Sequence, residues 1–194
     1  LTMSSVNQVQ RMFGVDHVVF CLEGRSWRKD FYQPYKANRK LDESAMTERE
    51  VEENKMFWET YEAFTTFLRE KTNTSVLRVP NAEADDIIGT LVPRHIMHEN
   101  LLIISSDGDF LQLQNYGSNV KQYNPAQKKF VKSEKPIEEL KEKIIRGDKG
   151  DGIPNMFSPS DCFVRDLRQK PITQKTLDKY LDEQVEKYSE TDQT

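Results

Sequence analysis

Cysteine is scarce. Cys21 and Cys162 are the only two in 194 residues, too few and too far apart for a disulfide framework or a zinc site. Cys21 lies in the apolar run HVVFCL and reads as a buried thiol. Long apolar runs are missing as well, and none approaches the ~20 residues that a membrane-crossing helix requires. The first residues, LTMSSVNQVQRMF, lack the basic stretch and apolar core that mark a secretory signal. Together these absences favour a soluble protein of the cytoplasm. An overall basic charge is missing too: the formal net charge is −4, which counts against a uniformly basic nucleic-acid binder. The length suffices for one domain with a hydrophobic core, with or without a small appendage.

What is present is charge segregated along the chain. Residues 25–41 carry Arg25, Arg28, Lys29, Lys36, Arg39 and Lys40 against Asp30 alone. Asp42, Glu43, Glu48, Glu50, Glu52, Glu53, Glu59 and Glu62 then reverse the sign, and residues 121–149 are again rich in lysine. Basic patches separated by acidic surface suit a protein that grips a polyanion at chosen places. Solvated charged faces are common, so this pattern is weak evidence by itself.

Periodicity predicts a short amphipathic helix over residues 4–13 and a strand over His17–Leu22. A long helix is expected over residues 47–71, where Val51, Met56, Phe57, Tyr61, Phe64 and Leu68 recur at three- and four-residue steps, with Asn73 ending it. Val76–Val79 reads as a strand closed by Pro80. Asn81 is expected to cap the following helix, in which Pro93 marks a kink or stop. Leu101–Ser105 is a fully apolar strand, and Val120–Tyr123 pairs with Lys129–Val131 across NPAQ. Residues 136–146 form a helix stopped by Gly147, residues 147–159 a structured loop, and about 173–188 a last helix. Apolar strands alternating with helices indicate an α/β domain with a mainly parallel sheet. Ligands of such sheets gather at the carboxyl ends of the strands.

Four acidic clusters fall at or near such ends. Glu23 follows the first strand; Glu83, Asp85 and Asp86 occupy a first helical turn; Asp107 and Asp109 follow LLIIS; Asp148 and Asp151 lie in GDKGDG. Each has a structural explanation taken singly: dipole complementation for the helical turn, and tight Asp–Gly turns for the loops. On a helix, Glu83 and Asp86 share a face, with Asp85 partly aside. Several such clusters at successive strand ends would repel unless a cation neutralised them. All the candidate ligands are hard oxygens, which selects Mg²⁺ or Mn²⁺ over zinc. Two such ions about 3.5–4 Å apart are a common device for phosphodiester cleavage.

The ordered set WRKDFYQPYKANRK, EADD, SSDGDF and GDKGDGIPN resembles the flap endonuclease/5′–3′ exonuclease family, its bacteriophage branch in particular, over about residues 4–180. The resemblance implies a PIN-like 5′-nuclease domain over residues 1–135, with a helical arch near 25–56. A helix–three-turn–helix region follows over 136–190, its motif within 137–168. It implies that Glu83, Asp85 and Asp86, with Asp107 and Asp109, hold a catalytic Mg²⁺, and that Asp148 and Asp151 complete the surroundings of a second. Mn²⁺ would substitute, and K⁺ would sit in the helix–three-turn–helix region. Tyr35, Lys36 and Arg39 would belong to the arch, Lys36 and Arg39 meeting the scissile phosphate, with Trp27 and Arg28 at the arch base. The loop of Gly147, Lys149, Gly150 and Gly152 would hold duplex phosphates through backbone amides. Aromatics interleaved with bases could stack on an unpaired nucleotide, and Trp27 is equally compatible with core packing.

The resemblance is incomplete. Glu23 stands where most of the family has Asp. A first strand bearing a further metal-binding Asp would precede Leu1, and most of the family's C-terminal region would follow, so a truncated reading frame is expected. The leading expectation is a monomeric Mg²⁺-dependent nuclease that removes RNA primers or 5′ flaps from DNA, in the host cytoplasm if viral. A single-stranded DNA-binding protein and a sliding clamp would be its replisome partners. The alternatives are a branched-DNA-binding module without turnover and a PIN-type ribonuclease. YKANR and GDKGDG count against the ribonuclease.

Overall fold

The computed structural model describes residues 3–37 and 46–182, which divide into two compact units. Among the described residues the first comprises 3–27 and 46–88, the second 28–37 and 89–182.

In the first unit, helix α1 (Met3–Phe13) precedes strand β1 (Val19–Cys21), which pairs in parallel with β2 (Ser75–Leu77) in the register Val19↔Ser75, Phe20↔Val76, Cys21↔Leu77. Both strands are shorter than their apolar runs, and β2 starts one residue before the expected position. The connection between them includes the 24-residue helix α3 (Glu48–Lys71). Its start is set by a capping box: the Glu50 carboxylate accepts from the Thr47 N–H at 2.7 Å, and the Glu50 N–H donates to Thr47 Oγ1 at 3.4 Å. Only the later turns of α3 are packed. Thr65 and Leu68 are fully buried and Phe64 meets Phe20 edge to face. Val51, Met56 and Phe57 are more than half exposed, although their spacing correctly predicted the helix. Periodicity reports which residues share a face, not whether another element covers that face.

Helix α4 (Ala84–His95) begins later than expected. Asn81 does not cap it, because its backbone is left-handed (φ 57°) and the first helical amides, Asp86 and Ile87, donate to the carbonyl of Glu83. Pro93 lies inside the helix rather than ending it.

In the second unit, the four-residue turn α2 (Arg28–Phe31) comes first in sequence. Strand β3 (Leu101–Ile104) pairs in parallel with β4 (Val120–Asn124), and β4 pairs antiparallel with β5 (Lys129–Val131). The hairpin is closed by Asn124, whose side-chain oxygen accepts from the N–H groups of Ala126 and Gln127. The α/β class and the dominance of parallel pairing hold. Hydrogen bonding nevertheless assigns the described strands to two sheets, β1–β2 and β3–β4–β5, rather than to one. Between β3 and β4 the chain forms a nine-residue 3-10 helix, Gly108–Tyr116, where a simple turn was expected. Phe110 and Leu113 bury from one side of it, as the three-residue repeat dictates. Helix α5 (Pro136–Arg146) opens on proline and stops at Gly147, as its sequence predicts. Helix α6 (Gln174–Asp182) is the last described element, and the expected residues beyond 182 lie outside the described ones.

Candidate active site

Glu23, Glu83 and Asp86 are held in the first unit by the start of α4. The Gly24 N–H donates to the Ala82 carbonyl at 3.0 Å, and a Cβ on Gly24 would stand 2.5 Å from that oxygen. Only glycine permits this approach, which brings the exposed Glu23 beside the helix N-terminus. There its carboxylate accepts from the Ala84 N–H at 3.2 Å. Glu83 is 6% exposed and accepts from the Ser26 hydroxyl at 2.7 Å. The Asp86 carboxylate turns back to accept from the Glu83 N–H at 2.9 Å. Asp85 is exposed in the same turn. One carboxylate of this pair thus accepts from a buried serine, and the other folds back from the first helical turn onto the backbone N–H that precedes it.

The second unit gathers Asp107, Asp109, Asp148 and Asp151 differently. Asp107 caps the 3-10 helix by accepting from the Asp109 N–H at 2.9 Å. Buried Gln122 fixes the approach to it, donating to the carbonyls of Ser105 and Asp107 at 3.0 and 2.6 Å. Lys143, in the last turn of α5, donates to the Asp109 carboxylate and lies 3.0 Å from the Asp148 carboxylate. Burial disfavours its ammonium, but the hydrogen bonds to Asp109 and Asp148 outweigh that and hold its pKa above the ordinary lysine value. Burial likewise opposes the Asp148 carboxylate, and Lys143 with the amides of Asp151 and Gly150 draws its pKa below the usual range.

Loop 147–153 is a closed turn. Asp148 and Ile153 exchange backbone hydrogen bonds of 2.7 and 2.8 Å. Gly147 has φ 71°, and a Cβ there would lie 2.5 Å from the Ile153 oxygen and from Pro154. Its N–H donates to the Lys143 carbonyl and that of Gly152 to the Lys149 carbonyl. These two glycine amides thus shape the turn rather than facing outward, contrary to the expected phosphate contacts. Lys149 and Gly150 are exposed on it.

The segment carrying Tyr35 and Lys36 is docked on this turn. The Tyr35 hydroxyl donates to Asp151 Oδ2 at 3.2 Å, Lys36 N–H donates to the Asp151 carbonyl at 2.8 Å, and Lys36 Nζ lies 3.7 Å from Asp151 Oδ2. The Tyr32 hydroxyl donates to the Ser160 carbonyl. Tyr35 is buried, with Arg28 and Lys36 over its ring at 5.9 and 5.0 Å, so the ring is not a stacking platform. Lys36 has a left-handed backbone (φ 54°), uncommon for a side-chain-bearing residue and found where surrounding structure enforces it. Trp27 is 45% exposed, not a core packer, and Phe31 is 84% exposed. Arg39 lies outside the described residues.

The sequence profile of the 5′-3′ exonuclease N-terminal, resolvase-like domain matches residues 1–144. The chain belongs to this family. Ribonuclease H of Enterobacteria phage T4 is 34% identical over 86% of this chain and 55% of its own length. Flap endonuclease Xni of Shewanella woodyi is 27% identical over 72% of this chain and 54% of its own length. The chain thus spans about half the length of these curated relatives. A bacteriophage T5 flap endonuclease, solved as a pseudo-enzyme–product complex with DNA and metal ions, shares the fold: TM-score 0.69 at 18% identity, over 92% of this chain and 75% of that one.

Three residues that hold these carboxylates or the backbone beside them escaped the sequence reading: Ser26, Gln122 and Lys143. Lys143 was hidden among Lys141, Lys143 and Arg146, and only the packing of α5 against the 3-10 helix distinguishes it. Among the described residues no three Asp, Glu, His or Cys side chains form one group able to hold a metal ion. The donor chemistry still fits a hard cation, because Asp109 and Asp148 converge from separate elements on one positive charge.

Proposed function

We propose that the chain is the catalytic part of a metal-dependent, structure-specific 5′ nuclease. Its substrates are DNA or RNA–DNA duplexes with a 5′ flap or 5′ end, and its role is to remove RNA primers or flaps during replication. The docking of Tyr35 and Lys36 onto Asp151 carries this reading. It couples the basic segment that would meet the cleaved phosphate to the turn that would meet the duplex, which a small ribonuclease of related fold does not need.

Glu23, Glu83, Asp85, Asp86, Asp107, Asp109, Asp148 and Asp151 are the ligands proposed for two Mg²⁺ ions, with Mn²⁺ substituting. Bound there, such ions supply an activated water and stabilise the leaving oxygen. Lys36, held by Asp151 and by the Tyr35 ring, offsets the repulsion between a phosphodiester and this acidic surface. Arg39 is proposed for the same task. Exposed Trp27 and Phe31, flanked by Arg28 and Lys29, suit stacking on unpaired bases, and Lys149 suits a duplex phosphate. K⁺ near the 147–152 turn, a monomeric state, action in the cytoplasm and replisome partners complete the proposal.

The test is cleavage of a 5′-flap duplex with Mg²⁺ beside a binding titration of the same substrate. Turnover releasing a 5′-phosphate is expected. Tight binding without turnover in either Mg²⁺ or Mn²⁺ would replace this reading with that of a branched-DNA-binding module. Lys36→Ala should slow the single-turnover rate more than it weakens binding; a pure affinity loss would remove Lys36 from the chemistry.

A further inference from the structure

Two carboxylates aimed at one point need a positive charge, and in the second unit a side chain already provides it. Asp109 belongs to the 3-10 helix after β3, and its backbone is tied to the Asp107 cap. Asp148 belongs to the turn after α5, tied to Ile153 and Asp151. Lys143 is anchored by its carbonyl, which accepts from the Gly147 N–H at 2.9 Å. The three backbones are thus fixed, whereas the Lys143 side chain is 41% exposed and hangs on four rotatable carbons.

We propose that Lys143 is a resident counter-cation, which keeps Asp109 and Asp148 facing one another in the metal-free protein and is displaced when a divalent ion binds them. The proposal rests on the metal-dependent reading above and deepens it. An ammonium and a divalent ion cannot both occupy the ground between the same oxygens. The outgoing contacts are partly exposed ion pairs, each of modest strength, so exchange is feasible at ordinary ion concentrations. After exchange the ammonium swings outward by rotation about its own side chain. Lys143 therefore acts as a positioning residue, and it raises the ion concentration at which the pair fills.

The experiment has two arms at fixed pH without DNA. Calorimetric titration of Mn²⁺ into the metal-free protein should give saturable binding, with the midpoint about tenfold lower for Lys143→Gln, the equivalent of two weak exposed ion pairs. Lys143→Arg, which keeps the charge, should retain a midpoint near that of the wild type. An unchanged or weaker midpoint in Lys143→Gln overturns the proposal. The second arm needs no variant. Acylation of Lys143 in the wild-type protein, read by mass spectrometry, should rise several-fold on saturation with Mg²⁺ as the amine is released. Saturable ion binding with Lys143 reactivity unmoved sinks this inference alone. No saturable ion binding by the wild type sinks the metal-dependent reading and this inference with it.

Discussion

The two units settle the repulsion among their acidic residues by different means. At the start of α4, Glu23 accepts from a helix-terminal N–H, Asp86 from the backbone of Glu83, and Glu83 from the Ser26 hydroxyl. Fixed dipoles help to hold these carboxylates. In the second unit, Asp109 and Asp148 share the ammonium of Lys143, and Lys36 lies beside Asp151. Dipoles built into a helix end stay in place, whereas a lysine can leave. Acidic residues of similar appearance in sequence are thus held by backbone and hydroxyl dipoles in one unit and by the long side chain of a lysine in the other.

The largest effect is expected from Asp107→Asn. Asparagine keeps the acceptor for the Asp109 N–H, so the cap and the melting temperature should survive. Flap cleavage in Mg²⁺ should nevertheless fall by about 100-fold or more in single-turnover assays, as loss of a metal-holding charge costs several kcal/mol at the transition state. DNA affinity should stay within a few-fold. An undiminished rate would remove Asp107 from the ligand set.

Next comes Gly147→Ala, which strikes the turn carrying Asp148. Its φ of 71° and the 2.5 Å approach to the Ile153 oxygen and Pro154 leave no room for a methyl group. Urea unfolding should show a loss of about 3 kcal/mol, the sum of backbone strain and overlap. Gly150→Ala, whose Cβ would meet only the Asp148 carboxylate oxygen at 3.2 Å, should cost under about 1 kcal/mol. Equal losses at the two glycines would mean that the turn is not closed as described.

The smallest effect belongs to the dipole-compensated side. Asp86→Ala should lower stability by about 1 kcal/mol through loss of a helix cap, while Asp86→Asn should be close to neutral. If both variants proved equally destabilised, charge rather than capping would govern α4, and the contrast between the units would dissolve.

Much of this was legible beforehand. The stop of α5 at Gly147 and the hairpin between β4 and β5 follow from local chemistry, namely a left-handed glycine and an Asn-centred turn. Resemblance in the motifs YKANR, EADD, SDGD and GDKGDG predicted the family to which the chain belongs. Other expectations failed for want of tertiary information. Asn81 has the composition of a cap, but the chain needs it in a left-handed turn that delivers Gly24 against Ala82. Tyr35 was expected as part of an arch, and only the fold shows that it is buried and bonded to Asp151. The apolar spacing of α3 specified a helix without saying that its first turns would be exposed.

Most element types, the acidic positions and the basic stretch before them follow from propensity, periodicity and charge, which are properties of neighbouring residues; the 3-10 helix Gly108–Tyr116 and the turn α2 do not. The partners of the carboxylates came from the tertiary fold: the Ser26 hydroxyl for Glu83, the Ala84 amide for Glu23, and the Lys143 ammonium for Asp109 and Asp148. A charge is compensated by whatever lies within a few ångströms, and those partners stand 57, 61, 34 and 5 positions away along the chain.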